Sequence, residues 1–64
     1  MERLVRTTLR VPEDVWRKLK VIAVSHDATA NGLIVELIRR FIREYEEGRV
    51  EEELFKAARD RRYR

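Results

Sequence analysis

The residues of this 64-residue chain whose types and spacing point most directly to chemistry are Arg6, Thr8 and Arg10. They alternate with Val5, Thr7, Leu9 and Val11, the period of two that puts one set on each face of a β-strand. The resulting polar face is basic and rich in hydrogen-bond donors, which points to nucleic acid or another acidic partner. Catalytic chemistry has no comparable set. Cysteine is absent, and no Ser/His/Asp arrangement, glycine-rich phosphate loop or metal-ligand spacing occurs. The single histidine, His26, falls near the end of a helical pattern, where a capping or surface role is expected. The expectation is a protein that is not an enzyme and needs neither metal nor cofactor.

A face of this kind has to be held by a strand, expected over residues 4–11, and no second segment reads as one. Unpaired backbone groups that become buried cost about 1–3 kcal/mol each, so the partner strand must come from another molecule. The simplest partner is the same strand of a second copy, antiparallel about a two-fold axis. Composition agrees with an oligomer. A chain this short buries little surface by itself, and without cysteine or a zinc-ligand set a partner chain is the remaining support. No apolar run is long enough to span a membrane and no signal-peptide pattern is present, so a soluble, cytoplasmic protein is expected.

Two helices should carry the rest of the core. Pro12 suits a first helical position, and Glu13 and Asp14 favour the positive end of the helix dipole. Val15, Leu19, Ile22, Ala23 and His26 then share one face and Arg17, Lys18 and Lys20 the other, with Trp16 and Val21 beside the apolar stripe. Thr29 is a good N-cap for a second helix, entered by Asn31 and Gly32. Its apolar positions Leu33, Ile34, Leu37, Ile38, Phe41, Ile42 and Tyr45 follow helical spacing. Glu36 stands four residues before Arg40, the favourable order for an ion pair, and Gly48 reads as the residue that stops the helix. The expected dimer core joins Val5, Leu9 and Val11 to Val15, Leu19, Ile22, Leu33, Ile34, Leu37, Ile38 and Phe41.

Charge divides the chain further. The formal net charge is +3, yet residues 44–53 hold Glu44, Glu46, Glu47, Glu51, Glu52 and Glu53 against Arg49, and the last nine residues are basic. Residues 1–48 read as one domain and 49–64 as a charged extension. In the extension Val50, Leu54, Ala57 and Ala58 suggest a short third helix, with Glu52 placed to pair with Lys56. Arg3, on an N-terminal arm, is placed to lie along a phosphate backbone.

The run Arg6-Thr7-Thr8-Leu9-Arg10-Val11-Pro12-Glu13-Asp14, followed by Leu19 with Ile22-Ala23, then Thr29-Ala30-Asn31 and Leu33-Ile34, resembles the ribbon-helix-helix DNA-binding family of MetJ, Arc and CopG type. The resemblance covers roughly residues 4–47. It implies a mainly α fold: one N-terminal strand and two helices per chain, in an intertwined homodimer with a two-stranded antiparallel ribbon. It also implies that Arg6, Thr8 and Arg10 enter the major groove, where arginine is bidentate to guanine and threonine reaches a base edge or a thymine methyl. The amides of Thr29, Ala30 and Asn31 would then hold a DNA phosphate. One departure is visible: where the family often has a glycine in the turn before the second helix, this chain has Asp27, with Gly32 inside the helix. The expected function is a transcriptional regulator, as a repressor, on an inverted-repeat operator of double-stranded DNA, with dimers able to assemble further on longer sites. The alternative is an antitoxin that represses through the same domain and binds a toxin protein through residues 49–64.

Overall fold

The computed structural model describes residues 3–61, and within them the chain is mainly helical: α1 spans Glu13–Ser25, α2 Ala30–Glu46 and α3 Glu52–Asp60. α1 begins one residue later than expected. Pro12 is its N-cap, with φ −54° and ψ 142°, because the ring fixes φ while the extended ψ keeps the residue just outside the helix. Its carbonyl accepts from the Trp16 amide at 3.0 Å, which closes the first turn. Glu13 and Asp14 lie in that turn, and Glu13 also pairs with Arg17 one turn on.

α1 stops in a reversal that a non-glycine residue makes. Asp27 takes the left-handed conformation, φ 56°. Its amide donates to the Val24 carbonyl at 3.1 Å, and the Ala28 amide reaches back to the Ala23 carbonyl at 2.8 Å, the bond pair of a Schellman ending. The left-handed position, most often a glycine in such endings, is filled here by an aspartate, whose short side chain tolerates that region better than most. Two residues later Thr29 caps α2, its Oγ1 accepting from the Gly32 amide at 3.0 Å. The two helices meet at 98°.

α2 ends as its sequence predicts. Gly48 has φ 74°, its amide donates to the Tyr45 carbonyl at 3.0 Å and the Arg49 amide to that of Glu44 at 2.9 Å. The Arg49 side chain also lies 3.3 Å from a Glu47 carboxylate oxygen and 3.7 Å from one of Glu44. This closed turn sends α3 back towards α2, where Phe55 packs edge-on against Phe41 and Tyr45 with ring centroids 6.0 and 5.9 Å apart. The extension thus includes the short helix that was expected, held by an aromatic contact that the spacing of Leu54, Ala57 and Ala58 did not indicate.

The strand expected over residues 4–11 is not formed. Residues 3–12 carry no regular secondary structure, and no hydrogen bond ties residues 3–11 to other described residues. The physical reason lies in the premise of the expectation itself, since a strand exists by pairing and the described residues form no second one. Two expected ion pairs also fail. Glu36 and Arg40 form no ion pair, and Glu52 pairs with Arg59 at 2.9 Å in place of Lys56.

The most telling feature is how little is buried. Among the described residues only Ala23 is buried, at 1% exposure. Val11, Trp16, Leu19, Leu33 and Ile34 are half-buried, while Val5, Leu9, Val15, Ile22, Leu37, Ile38 and Phe41 stay exposed. Accessible surface totals 6675 Å², against about 4,400 Å² for a compact folded chain of this mass. The radius of gyration is 13.7 Å, where a compact 64-residue domain has about 11 Å.

Candidate nucleic-acid interface

Arg3, Arg6, Thr8 and Arg10 are all exposed on the segment that precedes α1. None of them makes an ion pair or hydrogen bond with another described residue, and the segment up to Val11 holds no acidic residue beyond position 2. Their charge is therefore not neutralised locally. A common face for Arg6, Thr8 and Arg10 requires extended backbone, since only there do alternate side chains point the same way. The three stand near one another in sequence, and their alignment depends on the segment being paired.

Thr29, Ala30 and Asn31 come together by a different route, as the cap and first two positions of α2. The first amides of a helix have no intrahelical acceptor. Here the Thr29 side chain serves Gly32, its carbonyl serves Leu33 at 3.0 Å, and the amides of Ala30 and Asn31 donate to no described residue. No acidic residue lies in this first turn, so the partial positive charge of the helix end is undiminished from within. Asp27, exposed two residues before the cap, works against it. Gly32 fits the cap tightly, because a Cβ there would sit 3.0 Å from Thr29 Oγ1. No hydrogen bond or ion pair joins the N-terminal segment to this turn among the described residues.

Two aromatic residues outside this interface make contacts that the sequence pattern did not indicate. Trp16, half-buried, has the Lys20 ammonium 6.0 Å from its ring, within cation–π range. Phe55 lies outside the apolar spacing of its own helix, and its partners are 14 and 10 residues back in the chain. An aromatic in a charged segment was the available signal.

Comparison with protein-family models, with curated proteins and with solved structures finds no match to this chain.

Proposed function

We propose that this chain is a sequence-specific regulator of transcription, a repressor, that binds double-stranded DNA as a homodimer. Two N-terminal segments pair as an antiparallel ribbon, and Arg6, Thr8 and Arg10 of both enter the major groove. Arg3 and the α2 start at Thr29, Ala30 and Asn31 contact phosphates. The observation that carries this reading is an alternating Arg/Thr segment with no partner among the described residues, on a molecule that leaves most of its large apolar side chains exposed. Both deficits are met by one second copy. The ribbon pairs the backbone, and the apolar faces of α1 and α2 close on their counterparts. The reading calls on no catalytic group.

The test is footprinting and titration on DNA upstream of the chain's own gene. Arg10→Ala should weaken specific binding by about 1–3 kcal/mol with folding intact. Log affinity should fall linearly with log salt as phosphate contacts release counterions. Unchanged sequence preference in the Arg6, Thr8, Arg10 triple-alanine protein would sink the reading.

A toxin-binding role for residues 49–64 draws support from α3 being a separate charged helix. Against it stands Phe55, the large aromatic such a partner would most readily take, which is already engaged on α2. The plain regulator is the better-supported reading, and co-purification with the product of an adjacent gene would reverse that order.

A further inference from the structure

α1 carries a second apolar line that its own fold does not use. Val21 and Val24 stand three residues apart with Arg17 four residues before Val21, which keeps them on one side of the helix. That side is opposite Trp16, Leu19 and Ala23, the residues turned towards the fold. Val21 and Val24 are 68% and 72% exposed. Two β-branched residues on an outward helical face lose rotamer freedom without gaining packing. Lys18 and Lys20, both exposed, flank them, so the patch is apolar along its middle and basic at its rim.

Pairing this line with the same line of another copy would set Arg17, Lys18 and Lys20 against like charges. The complementary surface lies elsewhere in the chain. Leu54 on α3 is half exposed while its neighbour Phe55 is held by α2. Glu51 and Glu53 flank Leu54, both exposed and neither in an ion pair with a described residue. Laid parallel with Val21 against Leu54 and Val24 against Ala57, the two flanks cross over, so Lys18 faces Glu53 and Lys20 faces the side of Glu51, the residue that precedes α3.

We infer that the basic-rimmed valine line of α1 takes the acid-rimmed Leu54 face of α3 from a second copy of this chain. The contact is head-to-tail, so it joins copies into rows and does not close on itself. It uses parts of two short helices, which puts it among weak, reversible interfaces. It is separate from the pairing of the α2 faces and does not rest on the DNA reading.

Sedimentation velocity of the full chain without DNA, from about 10 µM to about 1 mM as suits a weak contact, tests it. Species larger than the smallest assembly should grow with concentration and recede with salt. Lys18→Glu and Glu53→Lys should each raise the dissociation constant of that growth about three- to tenfold, and their combination should restore it. Val21→Ser with Val24→Ser should abolish the growth while the smallest assembly and its helical circular dichroism persist. The charge swap stands as a test even if the serine variant unfolds. The inference is overturned if the wild type shows no growth, if the swapped pair fails to restore it, or if the serine variant sediments unchanged. It is also overturned if that variant instead loses binding to anionic lipid vesicles, which would make the α1 line a membrane-facing surface.

Discussion

Asp27 and Gly32 show how single residues set the joint between α1 and α2. The left-handed position at Asp27 carries steric strain that glycine lacks. Asp27→Gly should therefore raise stability by about 0.5–1 kcal/mol, and Asp27→Ala should lower it, both read from urea unfolding. At Gly32 two effects oppose each other. Alanine gains about 1 kcal/mol of helix propensity, yet its Cβ would press on the cap oxygen at 3.0 Å. Thr29→Ala alone should cost about 1 kcal/mol. Gly32→Ala should then be more favourable in the Thr29→Ala background than in the wild type, a non-additivity that a double-mutant cycle measures. Simple addition of the two effects would mean that the cap and the glycine do not interact.

At the scale of elements, α3 is the case where local pattern and packing part company. Its N-cap, Glu51, makes no side-chain cap bond and the helix is nine residues long, too short to persist by propensity alone. It is held by the Gly48 turn, the Arg49 pairs and the two ring contacts of Phe55. Phe55→Ala should remove about 1–2 kcal/mol, from two edge-on aromatic pairs and half-buried area. The loss should appear as faster amide exchange in residues 52–60 before any change in α1. Protection that fell equally in all three helices would show α3 to be part of one cooperative unit. The N-terminal segment behaves in the opposite sense: its alternation is strong, yet with no neighbouring strand it has no ladder to form.

For the whole molecule, an excess of roughly 2,300 Å² of accessible surface over a compact chain is on the scale of an obligate interface. Folding should then be coupled to association, with apparent stability rising about 1.4 kcal/mol for each tenfold increase in protein concentration. Ile38 sharpens the expectation. It is 53% exposed in the single chain, so Ile38→Lys would be nearly neutral if one chain sufficed. If a second copy covers α2, the substitution should abolish helical circular dichroism at micromolar concentration. A concentration-independent midpoint would remove the case for coupled folding.

The sequence by itself determined what depends on neighbours a few residues apart. The two main helices, the Thr29 cap, the Gly48 stop and the acidic start of α1 all follow from side chains acting on backbone within a turn or two. The alternation of Arg6, Thr8 and Arg10 was legible in the same way, as a pattern awaiting a paired backbone. Tertiary structure decided what depends on distant neighbours. It seated Phe55 of α3 on Phe41 and Tyr45 of α2. It also left the apolar faces of α1 and α2 open, because one perpendicular helix pair cannot cover a stripe as wide as that from Leu33 to Tyr45. Periodicity says which residues want burial; only the packed chain shows how few of them it can bury alone.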